Sequence, residues 1–481
     1  MSVQLRLDPS SLAGDVNPLW TFGGNTCHMA LWLRADVRRH LEMARRELGF
    51  SYARCHGGLN DDMGVVRDDG TFSFETVDRA LDAVLALGMK PFFELSSMPK
   101  ALARDDTHIC KYEFVNSPPR DWSKWYDLVK ALMTHLAGAY GIDELRTWYF
   151  EVWNEPDIAF WRGTQEEYFR LYDLAARAVK ETDRALRVGG PATARTRWID
   201  EFLAHVTRPS DEFGLECGRC DFVSTHAYPS DIEFCDSDVG GVTLTDSNIM
   251  ARLFGEVRRK VDAALGEGFP VICGEWNSSA GPLAANHDEC NNAAYVAKTM
   301  HELSAICQGS LYWDISDIYE ECGFHYEPFH GGYGLVTVND VPKSAFHAFR
   351  LLAEHAGALV GATFSDAIDG LGCLASRVGS SLRALVYYYR EPHAEERPAV
   401  RVRLEGLPDG ATAARAEYVE PGRGSAYETY RERGRPPYAN RELLEALEEA
   451  STTRIADLSL DAPEITVAQG TIVQVTVDLG S

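Results

Sequence analysis

The chain has 481 residues, of which 45% are hydrophobic and 25% charged, so it holds a large apolar core and has room for one barrel plus a smaller unit. Lys and Arg number 47 against 72 Asp and Glu, a net charge of −25, which argues against nucleic acid or an anionic membrane as partner and suits a neutral substrate. No apolar run approaches the roughly 18 residues of a membrane helix, and the opening MSVQLRLDPSSLAGDV lacks the apolar stretch of a signal peptide.

In chain order, Val3–Leu7 alternates like a strand. Short apolar runs then follow at Trp20–Gly24, Tyr52–Gly57, Lys90–Ser96, Trp148–Asn154, Leu186–Pro191, Phe222–Tyr228, Pro270–Trp276 and Ser310–Ile315. Helical patterns separate them over 35–48, 75–88, 121–136, 166–183, 248–266, 290–307 and 343–356. In 121–136 the residues Trp122, Trp125, Tyr126, Val129, Leu132, Met133 and Leu136 fall on one helical face. Eight β–α units predict a (β/α)8 TIM barrel over residues 14–356. An open doubly wound sheet would carry a G-x-G-x-x-G turn after its first strand, and Phe22-Gly23-Gly24-Asn25 is not one. After Gly357, SLRALVYYY, AVRVRLEGL, ARAEYVE and TIVQVTVDL read as strands without helical crossovers. Residues 357–481 are therefore expected to form an antiparallel β-sandwich, joined by residues 1–13. Asn440–Ala450 is a helical insert in it, with Asn440 as N-cap.

The 11 cysteines are scattered and odd in number, which predicts reduced thiols and a cytoplasmic protein. Cys217 and Cys220 form a lone C-x-x-C in a Gly-rich segment, expected to be a surface loop.

In such a barrel, catalytic groups sit at the C-terminal ends of strands. The fourth run ends Trp153-Asn154-Glu155-Pro156 and the seventh Gly274-Glu275-Trp276-Asn277. Strands four and seven face each other across the mouth, and two opposed carboxylates are the minimum machinery of glycoside hydrolysis. A lone Glu at a strand end more often serves a helix start or an ion pair; the pairing on these two strands, each beside Asn and Trp, favours catalysis. Asn154 is placed to donate to a sugar hydroxyl, and Trp153, Trp276 and Trp313 to supply faces for sugar rings. His56 and His226 end the second and sixth strands, with Tyr228 on the same side as His226. A metal site among His28, His56 and His226 is the rival, but no H-x-H closes the first strand and no H-E-x-x-H occurs. No metal or other cofactor is expected.

The chain resembles glycoside hydrolase family 39, and within it the bacterial β-xylosidases. The resemblance runs nearly end to end, through ELGFSYARCHGGLNDDMGV, GMKPFFELSSMP, WYFEVWNEPD, RVGGPATA, DFVSTHAYP, GEWNSS, YWDISDIYEE and FHGGYGL. It implies a retaining exo-glycosidase acting on short xylo-oligosaccharides, with Glu155 as acid/base and Glu275 as nucleophile. It further implies that Asn154 meets the 2-hydroxyl and that Tyr228 orients the nucleophile. His56, His226, Trp313, Glu320 and Glu321 would surround the glycone, with Phe114 lining the same pocket. Relatives suggest a homo-oligomer. Two departures bear on specificity. Where similar xylosidases carry an aromatic residue shortly after the nucleophile, this chain has Asn277-Ser278-Ser279-Ala280-Gly281, and Asp314 replaces a more usual Thr. A different glycone (arabinose, glucose or a uronic acid) is therefore the alternative. A uronic acid would need a cation, which the strand-end motifs do not supply. A carbohydrate-binding barrel without activity is the third reading.

Overall fold

The computed structural model describes residues 1–210, 212, 219–229, 248–391, 395–408 and 410–480, apart from the side chains of 10–13. Eight parallel strands close into a barrel: Gly23–His28, Tyr52–His56, Lys90–Leu95, Tyr149–Val152, Arg187–Thr193, Phe222–His226, Val271–Trp276 and Gly309–Tyr312. The ring shuts where Leu311 pairs with Gly23.

The first strand departs from expectation. It runs Gly23–His28, whereas the apolar Leu19–Thr21 forms a 3-10 turn after Pro18. The sequence GGNTCH carries no apolar alternation, so its pairing rather than its pattern makes it a strand. A side-chain carbon on Gly23 would lie 2.2 Å from the Tyr52 carbonyl oxygen, a contact that glycine alone avoids. The helices meet expectation at 35–47, 75–86, 122–140, 165–182, 249–265, 291–303 and 344–353. Ile199–Val206 is an additional, shorter helix. In Trp122–Tyr140 the predicted face is the buried one: Trp125, Val129, Leu132, Met133 and Leu136 are inaccessible.

Side chains alternate along a strand, so every second residue enters the barrel. The floor is apolar: Phe22, Tyr52, Phe92, Tyr149, Phe222, Ile272 and Leu311 pack together. The next inward positions are polar and charged, among them Arg54, Glu94, Glu151 and Ser224, all fully buried. Dry aromatic packing below and a charged layer above leave the strand ends as the place where chemistry meets solvent.

The second unit is one continuous sheet. Its strands run in the spatial order Ala411–Pro421, Thr471–Leu479, Ser381–Tyr388, Leu371–Val378, Ala358–Phe364, Ser2–Asp15, Val400–Glu405 and Glu464–Val467. Val3, Leu5 and Leu7 share its core with Val400, Val402 and Leu404. Ser2–Asp15 thus joins the C-terminal sheet as expected. Its pairing with Val400–Glu405 is parallel, however, so the sheet is mixed. A strand from the other end of the chain is free of the antiparallel constraint that a hairpin imposes. Asn440 caps Arg441–Ser451, its side chain accepting from the Leu443 amide at 2.8 Å.

Buried histidines join the two units. His355 contacts Ser376 Oγ at 2.8 Å and Gln474 Oε1 at 3.0 Å, and His347 Nε2 contacts Ser451 Oγ at 3.2 Å. Burial lowers His355 to about 4 and His347 to about 3, and His226 and His287 in the barrel to about 4. Unfolding restores each to its ordinary value near 6.5. Below that pH the unfolded chain takes up protons that the fold refuses, so stability drops as pH falls from about 6.5 toward 4. Melting temperatures measured between pH 7 and 4.5 are expected to decline across this window, less steeply in His355→Gln. A flat profile would contradict the neutral, buried state of these rings.

Candidate active site

Barrel strand four ends at Val152, and the chain then turns through two left-handed residues, Trp153 (φ 71°) and Glu155 (φ 43°). Non-glycine residues rarely adopt this conformation, and such strain collects at functional sites. The turn sends Trp153 outward against Trp125, Trp161 and Phe114, where its Nε1 donates to the Phe160 carbonyl at 2.9 Å. Asn154 and Glu155 face the mouth. On strand seven, alternation turns Glu275 inward and Trp276 outward, where its Nε1 donates to Ser310 Oγ at 2.7 Å.

One oxygen of Glu155, one of Glu275 and a ring nitrogen of His226 lie within 4.8 Å of one another. Tyr228 Oη donates to Glu275 Oε1 at 2.5 Å. Burial, with the Glu275 carboxylate beside it, pushes the Tyr228 phenol well up, so it remains a donor. His226 Nδ1 lies 2.9 Å from Glu155 Oε1 and 3.5 Å from Glu275 Oε2. Its Nε2 faces Arg54 Nη2 at 3.4 Å. An arginine can only donate, so Nε2 accepts and the neutral ring carries its proton on Nδ1, directed at Glu155.

Arg54 is the hub beneath. Its guanidinium reaches Glu151 at 2.7 Å, Glu94 at 2.8 Å and Glu275 at 3.4 Å, and donates to Asn25 Oδ1 at 3.0 Å and Asn154 Oδ1 at 2.9 Å. Burial opposes its charge, but Glu151, Glu94 and Glu275 outweigh burial and hold its pKa above the ordinary arginine value. Because Asn154 Oδ1 is pinned by Arg54, the Asn154 amide hydrogens are turned toward the cavity. His56 Nδ1 sits 2.8 Å from Glu94. Burial favours a neutral ring there, yet Glu94 overcomes it and raises the His56 pKa.

The cavity above these groups measures about 200 Å3. His56, Asn154, Glu155, Tyr228, Glu275, Trp313 and Glu321 line it, and His226 lies just below, buried between the two carboxylates. Two expected residues sit elsewhere. Phe114 is buried behind the wall, edge-on to Trp153 and Phe160, and Glu320 is held by His28 Nδ1 at 2.9 Å. Of the three tryptophans, Trp313 alone lines the cavity. Trp153 and Trp276 are core residues, because the turn and the strand alternation point them away. Ala280, of the small segment after Glu275, lines the cavity too; Phe160, Tyr333, Arg195, Ile158 and Ala194 do so without having been expected there. Cys217 lies outside the described residues, so the C-x-x-C segment has no structural account.

The sequence matches the model of glycosyl hydrolases family 39 over residues 3–470. The chain belongs to that family. It is 36% identical over 459 residues to a β-xylosidase of Caldicellulosiruptor saccharolyticus, covering 93% of this chain and 91% of that protein. A β-xylosidase of Geobacillus stearothermophilus is 33% identical over 455 residues, 90% of this chain and 86% of that protein. The crystal structure of a monomeric β-xylosidase from Caulobacter crescentus CB15 superposes with a TM-score of 0.88 at 31% identity, covering 99% of both chains. The protein is thus a glycoside hydrolase, and no described helix is long and apolar enough to cross a membrane.

Glu155, His226 and Glu275 are close enough to bind an ion together. Their hydrogen bonding gives each another task. His226 Nδ1 bears a proton, and the guanidinium of Arg54 already supplies a positive charge beside Glu275. Hydrolysis by this enzyme is expected to be unchanged after exhaustive chelation; loss of activity restored by a divalent ion would assign the trio to a metal.

Proposed function

We propose that this family 39 hydrolase is a retaining exo-β-D-xylosidase that removes single xylose units from the non-reducing ends of short xylo-oligosaccharides. The observation that carries the reading is the pair Glu155 and Glu275, with oxygens within 4.8 Å across a cavity the size of one sugar. Retaining pairs stand about 5–5.5 Å apart, and inverting pairs farther, with room for a water between them.

Glu275, oriented through Oε1 by Tyr228, attacks the anomeric carbon and forms a glycosyl ester. Glu155, held at Oε1 by His226, delivers its proton to the departing oxygen. Esterification removes the negative charge of Glu275. Glu155 then holds its own charge more easily and takes a proton from the water that frees the sugar. The Asn154 amide donates to the hydroxyl next to the reacting carbon, a bond that tightens as positive charge develops there. His56, Glu321 and Trp313 complete the walls. The nine described cysteines are all free, which supports the expected reducing, cytoplasmic compartment.

One observation favours a second glycone. Arg195 lines the cavity and is a cation of the kind that a uronic acid would need. A panel of aryl glycosides separates the two readings. The aryl β-D-xyloside is expected to be cleaved best, with β-xylose as the first product by NMR. Glu275→Ala is expected to lose activity by about 10³-fold or more. Preference for a uronide would move the glycone to the Arg195 reading, and α-xylose as first product would overturn retention.

A further inference from the structure

Tyr333 stands in the cavity wall beside the small residues that follow Glu275. The residues Ser278, Ser279 and Ala280 that follow Glu275 are small, and Ala280 lines the cavity. Tyr333 comes from the FHGGYGL loop. Its hydroxyl donates to the Ala280 carbonyl at 2.7 Å, and its ring meets Trp313 at 6.2 Å and 66°.

The loop is clamped on both sides of Tyr333 by a buried ion triad outside the barrel. Lys343 Nζ lies 2.6 Å from Asp288 Oδ1 and 2.6 Å from Asp317 Oδ2, and donates to the Gly332 carbonyl at 2.9 Å. Asp288 Oδ2 accepts from the Gly331 amide at 2.6 Å, and Asp317 Oδ1 from the Gly334 amide at 2.7 Å. All three side chains are at most 2% exposed. A carbon added at Gly332 would lie 2.4 Å from Asp317 Oδ1, and one at Gly334 2.2 Å from the Asp317 amide nitrogen, so the glycines permit the clamp. The front of the loop is anchored separately. Phe329 packs between Tyr427 and Tyr430 of the short helix Tyr427–Glu432, 5.8 and 5.5 Å away.

A buried pair of carboxylates sharing one lysine is a costly way to hold one loop. Its contacts fall on the backbone flanking one cavity side chain. We propose that Tyr333 is a specificity-determining wall of the glycone site and that Lys343, Asp288 and Asp317 are its positioning residues. The inference rests on the glycosidase reading, in that it assigns the cavity to the glycone, but does not depend on which glycone that is.

The test is a double-mutant cycle on whichever aryl glycoside the wild type cleaves best. Removing one charge alone risks unfolding, so the triad is replaced together as Lys343→Met, Asp288→Asn and Asp317→Asn, with folding checked by circular dichroism. Tyr333→Ala, at the cavity surface, supplies the second arm. Each arm is expected to raise KM about tenfold while lowering kcat by less than about threefold, since the lost contacts bind ground and transition states alike. The combined variant is expected to be no worse than Tyr333→Ala, because the triad acts through that residue. Additive KM effects, or a folded triad variant with unchanged KM, would overturn the proposal. A Tyr333→Ala variant with unchanged KM would overturn it as well. Failure of the wild type on every glycoside would instead overturn the enzymatic reading.

Discussion

The guanidinium of Arg54 is the charge on which the site is built. Three buried carboxylates, Glu94, Glu151 and Glu275, and the oxygens of Asn25 and Asn154 converge on it. Without it they would be uncompensated charges and dipoles above a dry aromatic floor. With it, one planar fork fixes several groups at once: the proposed nucleophile Glu275 on strand seven, the Asn154 amide after strand four, and the His226 tautomer on strand six. Lysine offers a point charge and cannot hold this set in register.

The two proposed catalytic carboxylates thereby stand in different surroundings. Glu275 meets the Arg54 guanidinium and the Tyr228 hydroxyl. Glu155 meets a neutral imidazole N–H at Oε1 and lines the cavity. The outer structure extends the same logic. The apolar barrel floor, the Lys343 triad and the aromatic seat of Phe329 each immobilise a wall, so that the sugar rather than the protein does the adjusting.

The barrel was legible because most of its strands are short apolar runs between amphipathic helices, and Glu155 and Glu275 were legible because barrel topology says which end of a strand matters. The first strand was hidden by its glycines and polar residues, since pairing and not pattern defines it. The parallel seam of Ser2–Asp15 depends on where distant strands meet, which local alternation does not encode. Arg54, Glu94 and Glu151 left a readable signal: charged residues in the middle of buried strands, at the same alternation as His56 and the strand-end groups. Tyr333 and Arg195 sit on loops whose direction no periodicity fixes. Trp153 misled for the same reason, because a left-handed turn reversed the side it faces.

The most direct measurement is kcat/KM of Arg54→Lys against wild type on the preferred aryl glycoside, with folding verified by circular dichroism. The variant keeps the charge and loses the fork. A folded variant slowed by about 10³-fold or more is expected if the guanidinium aligns nucleophile and substrate partner together. Activity within about tenfold of wild type would contradict this, leaving Arg54 as a counterion alone.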